Sequence, residues 1–225
     1  MEDAGRFIVL EGPDGVGKTT QVALLSAWME ESGLPHVVAR EPGGTPVGEA
    51  IRSIVLGRAD LDMPAESELL LLLAARAAFV RDVVLPALDG GRTVVADRFS
   101  LSTLAYQGYG RGLDERLIRD GLRIATGGLE PDLVLVLDLP PEEIEDRRSR
   151  DLALPDRIEQ EGEAFRRAVR DGYLELSRSE PSVEVVAAYG TPQEVHEKVL
   201  AILVDRFPDP FARMAAPVSR PGGAQ

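Results

Sequence analysis

The chain has 225 residues, 44% of them apolar and none of them cysteine, with 38 acidic against 25 basic side chains and a formal net charge of −13. A length near the roughly 100–200 residues of a typical domain predicts one domain plus a tail, and the missing cysteines exclude disulfides and thiolate metal sites. The acidic balance excludes a general nucleic-acid binder, which needs a basic surface to displace counterions from phosphates; a small phosphorylated ligand needs only a local cationic pocket.

The opening MEDAGRFIVLEG carries acids where a signal peptide needs a basic segment. Arg6 to Glu11 reads as a buried strand running straight into glycine, and Thr19 to Ser32 as a helix stopped by Gly33. His36 to Arg40 is a second short strand. Thr45-Pro46 is a helix-start signal, Thr as N-cap and Pro at the first helical position, for a helix to about Leu56. Pro64 to Leu88 reads as one long apolar helix ended by Asp89-Gly90-Gly91. Within it, Arg76, Arg81 and Asp82 interrupt the apolar stretch, so it is a buried helix rather than a membrane span.

Arg92 to Asp97 is a third strand, followed by helical stretches over Ser100 to Gln107 and Leu113 to Thr126. Asp132 to Leu139 is a fourth strand. Pro141 opens a helix that leads into the arginine-rich segment Arg147 to Arg157, and another helix runs to about Ser179. Val183 to Ala187 is a fifth strand and Pro192 to Arg206 a last helix. From Pro208 onward Pro, Gly, Ala and Ser dominate, which predicts a domain over residues 1–207 and a disordered tail over 208–225. Short apolar strands alternating with helices imply a five-stranded parallel sheet covered on both faces, a three-layer α/β sandwich. Ligands of such sheets bind at the carboxyl ends of the strands, where Glu11, Arg40-Glu41, Asp97-Arg98 and Asp138 fall.

Gly12-Pro13-Asp14-Gly15-Val16-Gly17-Lys18-Thr19 matches G-x-x-x-x-G-K-[ST] in full, between a strand and a helix, which is the context a phosphate-binding loop requires. Its glycines let backbone N–H groups, with Thr20 behind them, point at phosphate oxygens, and the helix N-terminus favours an anion. The motif assigns Lys18 to the β- and γ-phosphates of ATP and the Thr19 hydroxyl to Mg²⁺. Asp97, at the end of an apolar strand and followed by Arg98, is the expected second metal-site residue. Asp138 reads as a strand-end or helix-cap acid. If the acceptor is a phosphate monoester, its attacking oxygen is already ionised and no general base is required. The chain agrees: its two histidines, His36 and His196, read as surface or core residues. It supplies arginines instead, Arg98 at a strand end and Arg147, Arg148, Arg150 and Arg157 in one segment.

These motifs, in this order, resemble bacterial thymidylate kinases from Phe7 to Arg206. The likeness rests on the loop, on Arg40-Glu-Pro-Gly-Gly-Thr45, Ala74-Ala-Arg76, Asp97-Arg-Phe99, Ser102-Thr103 with Tyr106-Gln107, and Asp156-Arg-Ile-Glu159. The resemblance implies transfer from ATP to dTMP with Mg²⁺, in a cytoplasmic homodimer. It implies that Asp14 meets the deoxyribose 3′-hydroxyl, Arg98 lies between donor and acceptor phosphates, Arg76 and Gln107 read the base, and Tyr106 crowds the 2′ position. It also places Glu41, Pro42, Arg52, Ser102, Thr103 and Glu159 in the acceptor pocket and makes residues 147–157 a lid over ATP, with Arg147 on the ATP side. One departure stands out. Where family members often carry a Phe that stacks on thymine, this chain has Leu72, which covers a base face by dispersion alone.

The family's alternative position for a catalytic arginine, inside the loop after its Asp, is Gly15 here, so the expected catalytic cations are Lys18, Arg98 and the lid residues Arg148 and Arg150. Arg157 is expected to hold the base of the lid through Glu159 or Asp156. Two other readings remain open on sequence alone. A deoxynucleoside kinase would use Glu41 as a base toward a nucleoside hydroxyl. A P-loop ATP switch would have no small acceptor at all.

Overall fold

The computed structural model describes residues 5–149, 156–209 and 211, with the side chains of residues 148 and 149 outside that description. Five strands, β1 (Phe7–Glu11), β2 (His36–Arg40), β3 (Thr93–Asp97), β4 (Leu133–Asp138) and β5 (Val183–Ala187), form one all-parallel sheet in the order β2-β3-β1-β4-β5. The inner strands read as unbroken apolar runs because both faces are covered. Phe7 and Val9 join one core with Val94, Val134 and Phe79, while Ile8 and Leu10 join the other with Val95, Leu133 and Leu25.

The helices divide accordingly. The first face is packed by α2 (Pro46–Val55), α3 (Ala65–Phe79), α6 (Glu115–Thr126) and α8 (Glu163–Ser179). The second is packed by α1 (Lys18–Glu31), α7 (Pro141–Ser149) and α9 (Pro192–Arg206). Thr45 caps α2 as its sequence signal predicts, its Oγ1 accepting the Gly48 N–H at 2.9 Å.

Three expectations need correction. The helix expected to run unbroken from Pro64 to Leu88 contains a π-helical turn, Val80–Val84, before resuming as α4 (Leu85–Asp89). Pro86 explains it: proline has no N–H to donate, and its ring clashes with the carbonyl four residues back, so the preceding turn widens. The stretch Ser100 to Gln107 is likewise a short α5 (Ser100–Thr103) running into a π-helical segment, Leu104–Gly110. Finally, ordered packing continues past residue 207: Phe211 is fully buried and stacks on Trp28 with ring centroids 5.9 Å apart. Residues 212–225 lie outside the described residues.

The sheet order places β1 between β3 and β4, with Leu10 opposite Asp97 and Asp97 opposite Arg40. The carboxyl ends of β1, β2 and β3 therefore open at one level, and the loops that follow them converge on one crevice.

Candidate active site

The loop after β1 needs its glycines for two separate reasons. Gly12 has φ 131°, and a Cβ there would collide with the Leu137 carbonyl oxygen of β4. Gly17, at φ 102°, is the N-cap of α1 in a left-handed conformation that L side chains rarely adopt. The loop thus curls tightly over the strand ends and delivers the N-terminus of α1 to the crevice. Lys18 lies back across it, Nζ donating to the carbonyls of Gly12 at 3.0 Å and Pro13 at 2.8 Å. Burial, reinforced by the neighbouring charge of Arg98, lowers the Lys18 ammonium to a pKa of about 8.

Thr19 and Asp97 come together as their strand and helix positions predict, Thr19 Oγ1 donating to Asp97 Oδ2 at 2.8 Å. Asp138 is held elsewhere, accepting two bonds from Arg170 at 2.7 and 2.9 Å. A hydroxyl and a carboxylate oxygen this close form a hard-oxygen pair. Mg²⁺ is commonly held by one or two carboxylates with phosphate oxygens and water completing its shell, so the pair fits the ion. Among the described residues no group of three or more His, Cys, Asp or Glu side chains could hold a metal by itself.

Arg98 is the hub of the crevice. It is the one non-glycine residue with a positive φ, 74°, among the described residues. Backbone in that region is costly for an arginine and persists only where surrounding contacts enforce it. They are plentiful. The Arg98 N–H donates to the Leu10 carbonyl at 2.9 Å, and the next residue's N–H, Phe99, donates to the Glu11 carboxylate at 2.8 Å. The guanidinium donates to the Gly12 carbonyl, Ser102 Oγ and Tyr173 Oη through Nη1, and to Asp14 and Tyr106 Oη through Nη2. Tyr106 Oη in turn donates to Asp14 at 2.7 Å. Burial raises the Asp14 carboxyl, but the charges of Arg98 and Lys18 outweigh it and hold the group at about 2.

The acceptor side of the crevice is a cleft of about 710 Å³. Glu41, Pro42, Arg52, Leu72, Arg76, Ser102, Thr103, Tyr106, Gln107 and Glu159 all line it together with the loop, so the residues expected for the monophosphate pocket do converge. Ser102 with Tyr106, and Thr103 with Gln107, are each four residues apart, which the passage from α5 into the π-helical segment keeps on one side. Arg76 is 3% exposed and fixed in place: Nε donates to Glu41 at 2.7 Å, Nη1 to Thr103 at 2.7 Å and Nη2 to the Phe99 carbonyl at 2.9 Å. The other oxygen of Glu41 has no hydrogen-bond partner among the described residues, and burial pushes its carboxyl up to about 7 against the pull of Arg76. Arg52 braces the cleft wall by donating to the Pro42 carbonyl at 3.0 Å. The Glu41-Pro42 peptide is cis.

On the donor side, Arg147 reaches from α7 to the Val16 carbonyl at 3.1 Å and the Ala188 carbonyl at 2.9 Å, between the phosphate loop and the end of β5. Arg150, and the side chain of Arg148, lie outside the described residues. Arg157 departs from expectation. Its guanidinium pairs not with Glu159 or Asp156 but with Glu68 of α3, and its Nε donates to the Val55 carbonyl at 2.7 Å. Asp156 and Glu159 instead close a turn on each other's backbone, Asp156 accepting the Ile158 and Glu159 N–H groups at 2.9 Å.

Three further residues that sequence reasoning did not assign are built into the site. Glu11, fully buried, accepts from the N–H groups of Phe99 and Ser102, from Ser102 Oγ and from Tyr173 Oη. Tyr173, on α8, was indistinguishable from core because it sits in the apolar register with Val169 and Leu176. Glu68, 1% exposed on α3, is an acid set directly against the apolar run Leu69 to Leu73, a signal that it required partners.

A thymidylate kinase family model matches residues 10–199. Curated proteins named thymidylate kinase are similar over nearly the whole chain. That of Pelotomaculum thermopropionicum is 48% identical over 197 residues, covering 87% of this chain and 91% of that protein. That of Desulfosudis oleivorans is 46% identical, covering 90% and 98%, and that of Chlorobium luteolum 44%, covering 89% and 98%.

Proposed function

The chain belongs to the thymidylate kinase family, and we propose how its residues divide the work of moving the γ-phosphate of ATP onto dTMP to give dTDP and ADP. The observation that carries the assignment is the Arg98 hub, which joins the phosphate loop through Gly12 and Asp14 to the acceptor cleft through Ser102 and Tyr106. A cation at that junction touches both the group that leaves and the group that attacks.

ATP lies along the phosphate loop, its β- and γ-phosphates against the backbone of Gly15 to Thr20 and the Lys18 ammonium, with Arg147 beside the loop. Thr19 and Asp97 would hold Mg²⁺, which supplies charge neutralisation to the donor phosphates. The dTMP phosphate sits near Arg52 and Arg98, its sugar against Asp14 and Tyr106, and its base between Leu72, Arg76 and Gln107. An oxygen of the dTMP phosphate forms the new bond to the γ-phosphorus as the bond to the β,γ-bridging oxygen breaks, with the displaced electron pair left on ADP. No proton has to be removed from the acceptor. Catalysis is therefore positioning and charge stabilisation by Lys18 and Arg98, joined on closure of residues 147–157 by Arg148 and Arg150.

An exposed apolar stripe supports pairing with a second copy of the chain. Leu117 and Ile124 flank Gly121 on α6, and Gly121 meets Leu73 of α3, beside exposed Leu70. No helix among the described residues is long and apolar enough to cross a membrane, and the nucleotide substrates support a cytoplasmic site of action.

The test is ADP release with ATP and Mg²⁺ over dTMP, dUMP, dCMP, dGMP and thymidine. dTMP should be the best acceptor, dUMP weaker, and purine monophosphates poor. A preference for thymidine would mean that Glu41 acts as a base toward a nucleoside hydroxyl. A preference for dCMP or dGMP would mean that Leu72 belongs to a different base pocket.

A further inference from the structure

Glu68 lies outside the set of residues that contact nucleotide in the reading above, yet it holds one of them, Gln107. Its Oε1 accepts Gln107 Nε2 at 2.8 Å and Arg111 Nε at 3.2 Å, and its Oε2 accepts Arg111 Nη2 at 3.2 Å and Arg157 Nη2. The carboxylate is 1% exposed. Burial raises its pKa, but the hydrogen bonds from Arg111, Arg157 and Gln107 outweigh that and the net shift is downward, so it is ionised. An ionised carboxylate can only accept. The planar amide of Gln107 consequently has one chemically permitted orientation, with its NH₂ toward Glu68 and its carbonyl oxygen turned away. The reversed amide would set oxygen against a buried anion.

We propose that Glu68 is a specificity-determining positioning residue, which fixes the Gln107 amide so that the acceptor cleft selects a pyrimidine carrying a hydrogen at N3. This rests on the reading that Gln107 contacts the base. Thymine and uracil carry an N3–H donor, which an amide carbonyl oxygen satisfies. Cytosine presents a bare N3 lone pair, which the same oxygen repels and an amide NH₂ would welcome. Arg111 and Arg157 neutralise the carboxylate, so its charge persists in an apolar surrounding, and Arg111 is itself tied to Glu161. Through Arg157 the same carboxylate also ties the turn at residues 156–159 to α3.

The discriminating measurement is the ratio of kcat/KM for dTMP to that for dCMP, in Glu68→Gln, Gln107→Leu and the parent. The isosteric Glu68→Gln amide can donate as well as accept, which frees Gln107 to turn over. It should narrow the ratio by about tenfold, the worth of one misdirected hydrogen bond, with the KM for ATP within about twofold of the parent. A loss that is merely structural would lower both pyrimidine activities together and leave the ratio at its parental value, and that result overturns the proposal. If Glu68→Gln does not fold, Glu68→Asp keeps the charge for both arginines while drawing the carboxylate back from Gln107. It should narrow the ratio about threefold, and a parental ratio again overturns the proposal. Gln107→Leu separates the two levels. A normal KM for dTMP there removes Gln107 from the base pocket and the proposal with it, whereas a raised KM beside an unchanged Glu68→Gln ratio removes only the role of Glu68.

Discussion

Arg98 and Asp14 meet at the mouth of the phosphate loop, the guanidinium donating to one carboxylate oxygen while Tyr106 Oη donates to the other. The Arg98 guanidinium also lies over the Tyr106 ring, 4.9 Å from its centroid. Three groups are thereby locked into one arrangement from three separate pieces of chain. The ring and the hydroxyl of Tyr106 then do different things, and substitution separates them. Tyr106→Phe loses the bonds to Asp14 and Arg98 but keeps the ring, and should lower kcat about ten- to a hundredfold, the effect of a hydrogen bond to a charged group. Its preference for dTMP over ribothymidine monophosphate should stay at the parental value, since the ring that crowds the 2′ position is still there. Tyr106→Ala should weaken that preference. Steady-state kinetics with the two acceptors decide it: a Tyr106→Phe enzyme that loses the sugar preference contradicts the assignment.

Lys18 gives a pH dependence of definite sign. In the free protein its pKa is lowered to about 8, by burial and by Arg98. Phosphates beside the ammonium favour its charged form, so the bound-state pKa is higher than the free one. ATP affinity is therefore complete below about pH 8 and falls as the pH rises through that value, by up to about tenfold per unit until the bound-state pKa is reached. Calorimetry at about pH 8.5, in two buffers of different ionisation enthalpy, should show net proton uptake on ATP binding. An affinity that is flat from about pH 7.5 to about pH 9.5 contradicts the placement of Lys18 against the phosphates.

Glu11 bears on the strained backbone of Arg98. Its carboxylate takes the N–H of Phe99, the residue immediately after the positive-φ position, and it anchors Ser102 and Tyr173, which hold Arg98 Nη1. Glu11→Gln replaces one acceptor oxygen by a donor and removes the charge. It should cost about 1.5–3 kcal/mol of stability, the range for hydrogen bonds to a charged group, and lower kcat more than it raises the KM for dTMP. Chemical denaturation and kinetics on the same preparation test both halves. Parental stability and parental kcat together would show that Arg98 is held without it.

The lid arginines follow from Gly15. Gly15 leaves the phosphate loop with no side chain after Asp14, and we propose that a second catalytic cation comes from residues 147–157. Arg150→Ala should lower kcat by about 10²–10³-fold while changing the KM for dTMP little, the pattern of a contact made only in the transition state. Ala substitutions at Arg148 and Arg150 that each leave kcat within about threefold of the parent contradict a lid-arginine mechanism.

The phosphate loop and the strand ends were legible in the sequence because their constraints are local. A full motif between a strand and a helix admits one reading, and an apolar strand ending in Asp97-Arg98 places both side chains at the crevice. The pairings that complete the site were not legible, because they join residues far apart in the chain. Glu68 finds Gln107, Arg111 and Arg157, and nothing in the periodicity of α3 identifies those partners. Arg157 was expected to pair within its own segment, since Asp156 and Glu159 are its neighbours. Their side chains are taken by the turn's backbone, which leaves the arginine to reach across to α3. The π-helical turn at Val80–Val84 was foreshadowed by Pro86, but propensity alone does not tell a widened turn from a break.

The most direct test of the account is Arg98→Met in a protein shown to be folded, assayed with ATP, Mg²⁺ and dTMP. Methionine keeps much of the side chain's bulk and removes the cation that joins Asp14, the loop and the acceptor cleft. If Arg98 stabilises charge on the transferring phosphoryl group, kcat falls by about 10³-fold while the KM for ATP changes by less than about tenfold. A kcat within about threefold of the parent would show that phosphoryl transfer does not pass through this arginine, and the central assignment would be wrong.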